Sequence, residues 1–184
     1  DFIGFLINEV IKKEPKLIIL SVIKKKNIRI GKLNLRFEQN HSSFKKQIHH
    51  ILNYPYTLIN TNIIGPPSAI IVLNKFKIYY DPSLRFLVDI DLYIRILKII
   101  NNNDVFIYNK KLFQIISSQD NNESITKILK RKNKNIIENE KQEVLNKYNI
   151  QADIKEKSRL LYFYLIYKFY CIFNTKIKLI SHNN

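Results

Sequence analysis

The sequence predicts an α/β layered fold with a helical extension at its C-terminal end. Short β-branched apolar runs at residues 17–23 and 68–73 read as strands, while the segments around them carry helical periodicity. After residue 124 the pattern is helical almost throughout. With 184 residues and 46% apolar content, the chain is long enough to bury roughly 70% of its unfolded surface in a real core, and it is not a disordered tail.

In order, residues 2–13 place Phe2, Phe5, Leu6 and Val10 on one helical side, and Pro15 ends that helix. Residues 17–23 form a buried strand. Residues 24–37 alternate around Gly31, which predicts a hairpin or bulge. Ser42 or Ser43 caps a helix running to about Leu52. Pro66 and Pro67 then break any helix, and residues 68–73 read as a central strand turning at Asn74 and Lys75 into a partner at 76–80.

Asp81-Pro82-Ser83 is a turn signal. From about Val88 a helix begins, with Ile90, Tyr93, Ile94 and Leu97 on its apolar side. Residues 104–114 predict one or two strands and residues 117–122 a polar loop. Residues 124–148 form a charged helix, broken near 133–135, and residues 154–174 a final one. These boundaries divide the chain into a domain at 1–120 and a helical extension at 121–184.

A formal charge of +16 invites a nucleic-acid reading, since Lys and Arg neutralise phosphates. The excess of Lys, Asn and Ile runs through the whole chain, however, and the basic residues are dispersed apart from small clusters at 24–26 and 130–134. A solvated basic surface explains that pattern more simply. Cys171 is the only cysteine, which excludes an internal disulfide, and among aromatics it reads as a core thiol. His41, His49, His50 and His182 lack metal-ligand spacing. The run at 159–174, RLLYFYLIYKFYCIFN, is the one membrane candidate; it is shorter than a bilayer span and is interrupted by Lys168, which predicts a buried or interfacial helix.

Asp89 and Asp91 open the helix that begins near Val88. Asp91 and Arg95 are four residues apart and share a helical face, so they pair. Asp89 points elsewhere, at the N-terminal edge where the helix dipole favours a carboxylate. A plain cap explains it, and so does a general base placed where a strand, a turn and a helix start converge.

The string N-x-I-G-x-P-S-A, an apolar strand, and then Y-D-P-x-L-x-x-x-V-D-x-D-L-Y-I-R-I-L resembles the acceptor-side half of family 2 glycosyltransferases, which have the GT-A fold. Asn62, Ile64, Gly65, Pro67, Ser68, Ala69, Tyr80, Asp81, Leu84, Val88, Asp89, Asp91, Leu92, Tyr93 and Arg95 carry the match. Weaker similarity continues at Ser124 to Thr126 and at E-x-L-x-x-Y, Glu143 to Tyr148. The resemblance implies a partial GT-A fold and an inverting transfer from a nucleotide-sugar donor to a glycan or lipid-linked acceptor. By it Asp89 is the catalytic base, Gly65 and Ser68 lie near the acceptor, and Asp91 and Arg95 are structural support.

The same resemblance implies a divalent cation, Mg or Mn, held by a donor-side Asp-x-Asp motif. No such motif is visible here, and Asp1 stands where it, or the turn after it, would end. The family's downstream histidine is not found between Gln114 and Thr126. The chain therefore reads as the later, separately inactive part of a longer enzyme, cytoplasmic or peripheral at the inner face of the membrane. The competing reading is a basic, non-enzymatic RNA-binding or ribosome-associated module; against it stands the lack of an RRM, KH or zinc signature.

Overall fold

The computed structural model describes residues 12–30, 33–40, 45–72, 76–108, 115–118, 135–150, 154–173 and 176–179, with Gly4, Ile7 and Asn8. Its architecture is mixed α/β. The strands are β1 (Leu17–Leu20), β2 (Val22–Ile30), β3 (Leu33–Asn40), β4 (Ile70–Val72), β5 (Val105–Tyr108), β6 (Ile115–Ser118) and β7 (Lys176–Leu179). The helices are α1 (Lys45–Asn53), α2 (Val88–Ile99), α3 (Ile136–Lys147) and α4 (Ile154–Phe173).

A three-stranded sheet has the order β4-β1-β5, with β1 antiparallel to β4 and parallel to β5. Every residue of β1 is buried, as an unbroken Leu-Ile-Ile-Leu run requires of a strand covered on both faces. A four-stranded sheet has the order β6-β2-β3-β7, in which β2 runs antiparallel to β3 and parallel to β6. Only Ser21 separates β1 from β2, and its N–H donates to the Tyr108 carbonyl at 2.9 Å, closing the corner.

α2 is buried on most of its circumference, with Ile90, Tyr93, Ile94, Ile96 and Leu97 in the core. Against it packs the 3₁₀ turn Pro55–Ile59, whose Thr57 and Leu58 are sealed from solvent. The same turn meets α1 and α4. α4 joins the core through Phe163 and Tyr167, and the Phe163 ring stacks on His50 of α1 at 4.3 Å and 4°. No helix is long and apolar enough to cross a membrane among the described residues.

Several expectations are corrected. The run at 17–23 is split by Ser21 between two sheets. The strand expected in the centre at 68–73 is β4, an edge strand, and it is preceded by the 3₁₀ turn Pro67–Ala69 because two prolines set φ before pairing can begin. Residues 77–80 form no strand, since no partner ladder reaches them. Ser117 and Ser118 are in β6 rather than a loop, and the C-terminal extension is not wholly helical: β7 pairs with β3.

The hairpin expected around Gly31 forms, with Ile30 facing Leu33. α2 and α4 lie where periodicity predicts them. The caps at Ser42 and Ser43, Cys171, His41 and His182, the stretch between β6 and Thr126 that lacks the family's histidine, and the Ser124 to Thr126 string fall outside the described residues or their described side chains.

Among the described glycines, Gly65 is the one whose backbone conformation demands glycine. Its φ is +102°, and a Cβ there would meet Val22 Cγ2 at 2.9 Å. Asn62 closes the turn in both directions: its amide donates to the Gly65 carbonyl and its Oδ1 accepts from the Gly65 N–H, each at 2.9 Å. Gly65→Ala should therefore cost about 2 kcal/mol, roughly 4–8 °C in Tm by thermal unfolding; an unchanged Tm would show that the turn tolerates a side chain.

Candidate active site

The site is built on the first two turns of α2. Asp91 has no exposed surface, yet three groups reach it. Arg95 Nε donates to Oδ2 at 2.9 Å, and Lys147 Nζ and the Tyr148 hydroxyl both donate to Oδ1 at 2.8 Å. A carboxylate in the core is stable only when such donors match it. The i, i+4 contact with Arg95 that helix spacing predicts is present, and the other two partners come from the end of α3 and the residue after it.

The same cations tie down the loop ahead of α2. Arg95 Nη2 donates to the Tyr79 carbonyl at 2.6 Å, and Lys147 Nζ to Asp81 Oδ2 at 2.7 Å. Asp81 Oδ1 accepts from the Ser83 N–H and hydroxyl, an Asx turn that starts the approach to the helix. Lys147, then Ser83, hold the Asp81 carboxyl well below the usual carboxylate range. A lowered folded value means that this contact contributes fully above about pH 4 and is lost as pH falls further.

The helix start itself is capped from a distance. Glu140 of α3, almost fully buried, accepts the backbone N–H groups of Arg85, Phe86 and Leu87 at 2.9, 2.8 and 3.1 Å. The N-cap residue is Leu87, which offers no side-chain bond. A carboxylate near this end also complements the helix dipole. Asp89 is thus not the cap, although a cap is the simplest role its position offers.

Asp89 occupies the second helical position and is half-buried. Among the described residues, no hydrogen bond or ion pair reaches its carboxyl. Burial alone pushes that carboxyl above the ordinary range. One turn along, Tyr93 donates to the Gly65 carbonyl at 3.1 Å. Its hydroxyl is pushed up by burial first, then by the Asp89 charge and by Tyr80, and Asp89 and Tyr93 are four residues apart on one face of α2. Ser68, by contrast, is exposed on its 3₁₀ turn, and no contact among the described residues ties it to Asp89.

Sequence reasoning does not single out Glu140 or Lys147, and Tyr148 enters it only as the end of a weakly matching string. Glu143, which heads that string, is exposed. The usable signal is the spacing of Glu140, Val144 and Lys147, which puts an acid, an apolar residue and a base along one side of a helix. Among the described residues no group of His, Cys, Asp or Glu could hold a metal ion.

No family model, curated protein or solved structure matches this chain. The site therefore stands on its own geometry. Asp91→Asn should destabilise by about 3 kcal/mol, because it leaves Arg95 and Lys147 around a neutral buried amide. Glu140→Ala should cost about 2 kcal/mol by freeing three backbone donors. Urea unfolding measures both, and a loss below about 0.5 kcal/mol for either would mean that water replaces the missing oxygen.

Proposed function

We propose that this chain is the acceptor-side portion of an inverting, GT-A-type glycosyltransferase in which Asp89 is the general base. The observation that carries the reading is the contrast between two acids two residues apart. Asp91 is sealed by three donors, whereas Asp89 is half-buried, unpaired among the described residues, and held above the ordinary carboxylate range by burial. A desolvated, unpaired carboxylate is a stronger base than a solvated one.

In this reading the ionised Asp89 carboxylate accepts the proton of an acceptor hydroxyl as that oxygen bonds to the anomeric carbon. The bond from that carbon to the nucleoside diphosphate breaks on the opposite face, and the diphosphate leaves with the electron pair. Tyr93, one turn along α2 from Asp89, donates to the carbonyl of Gly65, whose N–H is held by Asn62. No step is assigned to a cation.

The test uses the enzyme with its donor-binding half, following nucleoside diphosphate release from a panel of nucleotide sugars. Asp89→Asn should lower kcat by about 10²- to 10⁴-fold while leaving donor binding intact. The raised carboxyl should place the acid limb of kcat/KM above the ordinary carboxylate value near 4, with activity rising as Asp89 ionises. Equal, mild losses in Asp89→Asn and Asp91→Asn would sink the assignment. Micromolar RNA binding with a steep salt slope would support the basic RNA-binding module instead.

We place this portion at an anionic bilayer surface through α4. Leu161, Tyr162, Leu165, Ile166 and Phe169 are exposed and fall along one side of the helix, opposite the buried Phe163 and Tyr167. Exposed Arg159 and Lys168 border that stripe, and Glu156 is the only acid in the helix. Apolar residues bordered by cations suit a headgroup interface. The chain should float with vesicles containing phosphatidylglycerol, and the triple change Leu161→Ser, Leu165→Ser, Phe169→Ser should abolish flotation; flotation unaffected by that change would overturn the placement.

A further inference from the structure

On the other side of α2 from Asp89 lies a cavity of about 660 Å³ whose lining includes Lys77, Tyr79, Tyr80, Arg95, Lys98 and Lys147. Lys98 is nine residues from Asp89, half a turn out of phase on the helix. Asp89 is not among the residues lining the cavity, although its Tyr80 acts on Tyr93 beside Asp89, and the ligand chemistry of the cavity does not rest on the glycosyltransferase reading.

Its charge does not balance. Arg95 and Lys147 are matched by the Asp91 and Asp81 carboxylates. Lys77 and Lys98 have no carboxylate partner among the described residues. Four cations thus face two acids, leaving two uncompensated positive charges in one concavity, where field lines concentrate. Lys98 Nζ is instead held above two tyrosine rings, 5.6 Å from the centre of Tyr56 and 5.4 Å from that of Tyr148. That contact fixes the ammonium group without neutralising it.

The walls are aromatic and open. Tyr79 is 74% and Tyr80 50% exposed, an unusual display for side chains of this size, and their backbone is pinned by the Arg95 bond to the Tyr79 carbonyl. A phosphate monoester carries close to two negative charges at neutral pH, which matches the surplus, and a ring attached to it would stack on a tyrosine face.

We propose that this cavity binds a phosphate carried on a ring, with Lys77 and Lys98 holding the phosphate and the exposed tyrosines stacking on the ring. The ring is a sugar or a nucleobase-bearing ribose, and the cavity volume accommodates either.

Titration calorimetry on the full chain with glucose 1-phosphate, uridine monophosphate, inorganic phosphate and glucose tests this. Saturable binding of at least one ring-bearing phosphate is expected, with inorganic phosphate about tenfold weaker or more and glucose inert. Whichever of the two ring phosphates binds tighter identifies the ring. Both lysines are exposed, so Lys77→Gln with Lys98→Gln should leave the far-UV circular dichroism unchanged while weakening binding by about 10- to 100-fold. Lys24→Gln with Lys26→Gln, in β2, should change nothing.

The proposal fails if neither ring-bearing phosphate binds saturably, or if inorganic phosphate binds as tightly as they do. It also fails if the cavity double variant binds normally, or if the β2 double variant is weakened as much.

Discussion

A carboxylate with no exposed surface, Asp91, is the constraint around which the described part of this chain is arranged. A charge in the core must be matched in sign and in hydrogen bonds. Arg95, Lys147 and Tyr148 meet both demands, and in doing so the two cations each fix something else. Arg95 reaches the Tyr79 carbonyl, Lys147 reaches Asp81, and Asp81 shapes the turn at Ser83. The loop before α2, the helix and the end of α3 are thereby one connected object.

That connection allows neighbouring acids to differ. Glu140 satisfies three backbone donors at the helix start, and Asp91 neutralises the internal cations. Neither task is left for Asp89. It keeps a half-buried place in the first turn with burial as the only influence on its titration, while Tyr93 below it anchors the Gly65 turn. In the proposed function Asp89 is preferred as the reactive group because Asp91 is already occupied.

Local pattern made α2, α4 and the β2–β3 hairpin legible, because periodicities of 3.6 and 2 are properties of a few adjacent residues. The Asp91–Arg95 contact was legible for the same reason. Glu140, Lys147 and Tyr148 were not, since their partners are 53 to 57 residues away and their own spacing along α3 does not say what they reach. The apolar run that becomes β4 looks the same at the edge of a sheet as in its centre; pairing alone decides, and β1 has its second neighbour in β5. The aromatic residues at 76–80 imitate a strand, but their tyrosines project to solvent because no ladder forms. β7, Lys-Ile-Lys-Leu, is too short and too charged to be recognised without β3 beside it.

The reach of Glu140 and Lys147 back to α2 has a consequence for the order in which the chain can fold. During synthesis α2, which carries Arg95, emerges about fifty residues before Lys147 and Tyr148, the other two donors to Asp91, an interval of several seconds at 5–20 residues per second. Until α3 follows, Asp91 has Arg95 alone among its three donors, and one of its two oxygens lacks both of the partners it has in the native state. A contact of such long sequence separation also slows the search for the native state. The acid at the centre of the domain thus ties full satisfaction of α2 to the arrival of the downstream helix.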